Sequence, residues 1–193
     1  MDDLYLSHHG ILGQKWGVRR YQNSDGSLTP AGRKRYGESA DYVEDARGQL
    51  KGMRNQINDK FKIEANNYGV DKRARERFVG NDPKQDAYFR KHYPNYDIGL
   101  EYQKRTMDYY RKQVERLDAL DKKIGDIDVT RQSFKKTKKL VDDIVEGSYD
   151  DFIDIRSQYE NSKEYKDYQD MQVRTREQAS QHRRRILDNT PGL

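Results

Sequence analysis

The strongest constraint on this chain is a seven-residue repeat of apolar positions that occurs twice. Val43, Ala46, Leu50, Met53 and Ile57 follow one another at steps of three, four, three and four, and the series leads on to Phe61. Leu100, Met107, Tyr110, Val114, Leu117 and Ile124 keep the same register, with Lys104 and Asp121 as polar interruptions near or on the seam. Steps of three and four bring each residue back to one side of an α-helix, and so narrow a stripe is buried by laying one helix along another. Two such seams define a mainly α chain, an elongated helical bundle with coiled-coil-like packing. Gly and Pro breaks between the seams permit the chain to reverse, so the seams are expected to meet within one molecule. Pairing between copies, giving a homo-oligomer, is the alternative.

Turn signals set the element boundaries. The first long helix is expected over 39–66, stopped by Asn66-Asn67-Tyr68-Gly69 and followed by a short charged helix over 71–78. Gly80-Asn81-Asp82-Pro83 reads as a turn, and a short helix spans 84–91. The second long helix starts near Asp97, and Gly125-Asp126 ends or bends it. A third segment covers 130–146 with Phe134, Leu140, Val141, Ile144 and Val145. Ser148, with Asp151 three positions on, resembles a capping arrangement for a last helix over 149–187. Beyond Asn161 its apolar face is weak, with Tyr165, Tyr168 and Met171 as the main members.

The 193 residues are only 33% hydrophobic and carry 38 Lys and Arg against 33 Asp and Glu, too polar for a large rounded core. The 15 Tyr, 5 Phe and 1 Trp nevertheless supply ring faces that disordered compositions lack. No window approaches the roughly 18 consecutive apolar residues of a spanning helix, so no membrane is expected as partner. Met1-Asp2-Asp3-Leu4-Tyr5 lacks the basic then apolar build of a secretory signal, which leaves the expectation that the protein stays in the cell that makes it. With no Cys, disulfides, thiolate zinc sites and cysteine nucleophiles are all excluded.

Glycine usage divides the chain. Six of the 14 Gly lie in the first 37 residues, so 1–37 reads as a Gly-rich basic and aromatic recognition module and 38–193 as the helical bundle. Within the module, Asp25-Gly26 sits between two short segments able to pair as a hairpin. Thr29 and Pro30 then suit the cap and first position of a short helix. A unit of this size is not stable unaided and has to dock on the bundle or on a partner.

The same segment holds Trp16 and the adjacent His8 and His9. Neighbouring His project differently and have no carboxylate at a helpful spacing, so no metal and no cofactor are assigned. An enzyme would need a pocket joining His8 or His9 to Asp142-Asp143 or Asp150-Asp151, and nothing in the pattern singles out such a set. Gly10 and Gly13 are not followed by the Gly-Lys-Ser/Thr of a phosphate loop.

Recognition is the better reading. Residues 1–37 carry six Lys and Arg against three Asp, and aromatic rings are interleaved with them. The assigned partner-binding residues are His9, Lys15, Trp16, Arg19, Arg20, Tyr21, Arg33 and Arg35, with Trp16 as buried anchor and Arg19 and Arg20 as charged groups. Such a mixture also suits nucleic acid, the weaker partner class here, because the arginines can equally pair with an acidic protein surface. The remaining basic runs, at 135–139 and 183–185, read as solvated cations near acidic neighbours or a helix end.

The stretch His9-Gly10-Ile11-Leu12-Gly13-Gln14-Lys15-Trp16-Gly17-Val18-Arg19-Arg20-Tyr21-Gln22-Asn23, with Asp25-Gly26-Ser27-Leu28-Thr29 and Gly32 to Tyr36 after it, resembles a short module in proteins of tailed bacteriophages and prophages of Gram-positive bacteria. In that family the module is joined to unrelated, often helical or toxin-like regions and tends to be encoded near head and portal genes. The likeness covers about residues 7–37. It implies a non-enzymatic, head-associated or virion-carried protein whose module docks on a phage head or portal component, located in the bacterial host cytoplasm or the virion. The competing implication is an anti-defence protein that covers a host immune complex with the tyrosine faces around Tyr102 to Tyr110 and Tyr159 to Tyr168.

Overall fold

The computed structural model describes residues 21–25 and 27–188, the side chains of 183–188 excepted. Six α-helices account for most of this span: α1 (Pro30–Val79), α2 (Pro83–His92), α3 (Pro94–Gly125), α4 (Phe134–Glu146), α5 (Tyr149–Glu160) and α6 (Lys163–Asp188). A single 3-10 turn, Val129–Arg131, leads into α4.

The two apolar seams meet within one chain. Arg47 of α1 bonds Asp121 of α3 at 2.7 and 3.0 Å, Arg54 bonds Asp118 at 2.8 Å, and Asp71 accepts from Gln103 at 2.9 Å. Numbers fall on α3 as they rise on α1, so the helices are antiparallel. A third, broken arm runs back along α3: Arg116 pairs with Asp151 of α5, Tyr109 stacks on Tyr159, and Tyr102 stacks on Tyr168 of α6. The chain is a mainly α bundle of three arms, the last in three pieces.

Leu50, Leu117, Leu120, Ile124 and Val141 form the buried core where α1, α3 and α4 converge, with Tyr42, Val43, Ala46, Ile57, Ile144 and Phe152 packed around them. Met53, expected on the seam, is 51% exposed. The seam steps from Leu50 to Arg54 and then Ile57, because a straight helix of 3.6 residues per turn drifts away from a strict seven-residue repeat.

The expected stop at Gly69 does not occur. α1 is continuous for 50 residues, passes unbroken through Gly37-Glu38 and includes, as its first turns, the short helix expected after Thr29. Its end is Gly80, at φ 57°, whose N–H donates to Glu76 O at 2.8 Å. An interior glycine costs a helix about 1 kcal/mol, and tertiary contacts past residue 69 outweigh that. Tyr96 donates its hydroxyl to Asp71 O at 2.8 Å. Arg75 bonds Asp97 at 2.5 Å and Asp86 at 2.8 Å while its guanidinium lies over the Phe89 ring, which ties α1, α2 and α3 together at this end.

Three further boundaries differ from expectation. α4 begins at Phe134, after the 3-10 turn. Ser148 does not cap α5: it follows α4 so closely that its hydroxyl bonds backward to Val145 O at 2.6 Å. The last helix is broken at Asn161-Ser162, where the Ser162 hydroxyl donates to Tyr159 O at 2.7 Å and accepts from Tyr165 N at 3.3 Å.

Tyrosine rings replace the aliphatic face that α6 lacks. Tyr102 and Tyr168 stack with centroids 3.8 Å apart, Tyr109 and Tyr159 at 4.4 Å, and Tyr165 meets Tyr159 edge-on at 4.9 Å. Thr106 donates its hydroxyl to Tyr102 O, so the 2.9 Å bond between Thr106 and Tyr159 uses the Tyr159 proton. Burial pushes the Tyr159 hydroxyl far above its usual titration range. These are the rings that sequence offered as a partner surface; here they hold α3, α5 and α6 to one another.

Two tests follow from this packing. A methyl built on Gly48 or Gly52 meets nothing within 4 Å, so Gly48→Ala and Gly52→Ala each raise stability by about 0.5–1 kcal/mol in urea unfolding, whereas Tyr159→Ala lowers it by roughly 3–5 kcal/mol. Burial, with Asp71 nearby, raises the Glu64 carboxyl above its usual range. A raised carboxyl opposes folding once it ionises, so the stability it spares at low pH is lost as pH rises through its folded value. Glu64→Gln therefore stabilises the fold at pH 7, and the gain disappears when unfolding is measured below the ordinary Glu range of about 4.3.

Candidate functional site

The described part of the recognition module is a small hairpin clamped onto the start of α1. Gln22 and Leu28 form an antiparallel bridge, and Asn23 N donates to Ser27 O at 2.7 Å. Asp25 accepts from both the Ser27 N–H (2.9 Å) and its hydroxyl (2.7 Å), and the hydroxyl bond first, then the amide, holds the Asp25 carboxyl below its usual range. Thr29 ends the hairpin with N–H to Tyr21 O at 3.1 Å and begins the helix by accepting from Gly32 N at 3.1 Å. Pro30 follows with φ already set for the first helical position.

Gly32 is required by close approach. A Cβ there would lie 2.1 Å from the Tyr21 carbonyl oxygen, so the hairpin backbone sits directly on the helix. Arg35, one turn further, donates to the Tyr21 hydroxyl at 3.0 Å, and its guanidinium lies 5.3 Å from the Tyr21 ring and 5.5 Å from the Tyr36 ring. The two rings meet edge-on at 5.4 Å. Tyr21 and Arg35 are thus committed to fastening the hairpin, while Arg33 and Lys34 are exposed. His9, Lys15, Trp16, Arg19 and Arg20, and with them the His8-His9 metal question, lie outside the described residues.

Beside this clamp is an open cleft of about 630 Å³ between the start of α1 and the start of α4. Arg33, Lys34, Arg35 and Tyr36 line one wall; Thr130, Arg131, Gln132, Ser133 and Phe134 line the other. Asp128 fixes the second wall by accepting from Thr130 N at 3.1 Å, Thr130 Oγ1 at 2.6 Å and Arg131 Nε at 3.0 Å. Tyr42 anchors it from α1, with its hydroxyl on Asp142 at 2.7 Å and its ring edge-on to Phe134 at 6.0 Å. Glu38 is the one carboxylate in the lining.

Sequence reasoning missed the second wall. Arg131 and Phe134 lie about 100 residues from the module, and only the antiparallel return of the third arm brings them to it. Lys135 and Lys136, read as cations near acidic neighbours or a favourable helix end, stand in the first turn of α4, the end where the helix dipole disfavours positive charge. Among the described residues there is no group of three or more His, Asp or Glu placed to hold a metal, and no helix long and apolar enough to cross a membrane. Comparisons with family models, curated proteins and solved structures found no match to this chain.

The Gly32 contact sets the test of this geometry. Gly32→Ala forces the hairpin off α1, so the Thr29 amide loses hydrogen-exchange protection at least about tenfold while core amides at Leu117 and Ile124 stay protected. Unchanged protection at Thr29 would show that the hairpin is not seated by this contact.

Proposed function

We propose that the protein is a non-enzymatic, phage-encoded, head-associated component whose N-terminal motif docks on a phage head or portal protein and carries the helical body with it. The observation that carries the reading is mechanical. Tyr21, the last residue of the His9 to Tyr21 motif, is held by Arg35 and Tyr36 at the start of a single 50-residue helix, a rod about 75 Å long at 1.5 Å per residue. A partner that held the motif through Tyr21 would act directly on the start of that rod. Exposed charge over most of the bundle suits a carried or spacing element, and the motif's likeness to phage modules supplies the address. The competing reading, an inhibitor of a bacterial immune complex, drew on ring faces that stack on one another between α3, α5 and α6. No other surface favours it.

The continuity of α1 decides how the experiment is built. Removing residues 1–37 would cut away the Thr29 cap and the first turns of α1, so the informative deletion is 1–20. This variant is expected to keep its helical circular dichroism and to fall at least tenfold in purified virions, measured by quantitative mass spectrometry; Trp16→Ala in the full chain should fall in parallel. Normal copy number of either folded variant in the particles rules the proposal out.

A further inference from the structure

We infer that the cleft between the starts of α1 and α4 is a binding site for the phosphate backbone of nucleic acid. Its walls come from two cation-rich stretches, with Glu38 the one carboxylate in the lining. Residues 29–37 carry Arg33, Lys34 and Arg35; residues 129–141 carry Arg131, Lys135, Lys136, Lys138 and Lys139. Arg33, Lys34, Arg35 and Arg131 line the opening itself, and Lys135, Lys136, Lys138 and Lys139 follow in α4, which begins at its second wall. Taking these eight from the 38 Lys and Arg leaves 30 against 33 Asp and Glu, so the rest of the chain is net negative by three.

Three of the eight cations are engaged internally and five are not. Arg35 is engaged with the tyrosines, Arg131 with Asp128 and Lys138 with the Tyr42 ring. Arg33, Lys34, Lys135, Lys136 and Lys139 are exposed and make no ion pair among the described residues. Lys135 and Lys136 also stand at the positive end of a helix dipole, which disfavours them there. A polyanion in the cleft offsets this.

Nucleic acid fits better than an acidic protein segment for two reasons. Exposed lysines on flexible stems act as point charges that follow a regular phosphate chain without selecting carboxylate geometry. Phe134, 40% exposed, and Tyr36 stand in the same lining as the cations and give ring faces on which unpaired bases stack. The inference does not rest on the phage reading: it concerns the purified chain, whatever carries it.

The test is fluorescence anisotropy of the full chain with a labelled single strand and with its duplex over a range of salt. Binding to at least one probe is expected, weakening with salt along a log–log line. Lys135→Glu with Lys136→Glu should weaken that binding at least tenfold and flatten the salt slope by about two, while raising the melting temperature by relieving the dipole. Arg33→Gln with Lys34→Gln, both exposed, should weaken it from the other wall; Lys60→Gln with Lys62→Gln on the outer face of α1 should not. The inference fails if neither probe binds at low salt, if the cleft variants bind as the native chain does, or if polyglutamate of equal charge displaces both probes more effectively than unlabelled nucleic acid.

Discussion

Everything in this molecule hangs on α3, which touches each of the other five helices. One side of it presents Leu117, Leu120 and Ile124 to Leu50 of α1 and Val141 of α4; further toward its start it presents Tyr102, Thr106 and Tyr109 to α5 and α6. The first set is the only sizeable aliphatic core among the described residues. Apolar burial of this extent supports a slender bundle because each arm needs only one neighbour. The ion pairs along the α1–α3 seam have a different part. Arg47-Asp121 and Arg54-Asp118 are a third to a half exposed, so each contributes at most about 1 kcal/mol. Their effect is on register: both pairs form in this alignment of α1 against α3.

Helical periodicity was legible because it is local. The two seams and the Gly80 to Pro83 turn can be read from neighbours in sequence, and the structure has them. The errors have two causes. Gly69 is a sound helix stop on propensity, yet Arg75, Asp71 and Tyr96 bind across to α2 and α3 and hold the helix through it. Ser148 has the composition of a cap but sits too close behind α4 to act as one. Met53 continues a strict heptad that a straight helix does not keep. At Gly69 contacts with the other arms overrode the local signal; at Ser148 and Met53 the geometry of the helix itself did.

The candidate site was legible in half. Residues 21–36 could be assigned to a hairpin and helix because Asp25-Gly26 and Thr29-Pro30 are local signals, whereas the close approach at Gly32 came only from the structure. What spacing could not show is the division of labour between Arg35, held by two tyrosines, and Arg33 with Lys34, left outside. Nor could it show the opposite wall, since nothing in 129–136 announces that it will meet 33–36.

Charge placement at the helix starts separates that cleft from the rest of the surface. α2, α3, α5 and α6 each have an acidic residue in the first turn, Asp86, Asp97, Asp150 with Asp151, and Glu164, as the helix dipole favours. α1 and α4 have none, and cations stand in or just after their first turns. In a chain with 33 Asp and Glu, acids are not scarce. The two helices that depart from the pattern begin on the same opening, although a hundred residues of sequence separate them. Solvation of charge accounts for cations anywhere on the bundle, but it gives no reason for both exceptions to face each other. A common anionic occupant does, because the same charges and the same dipoles that oppose one another in the empty cleft both attract it.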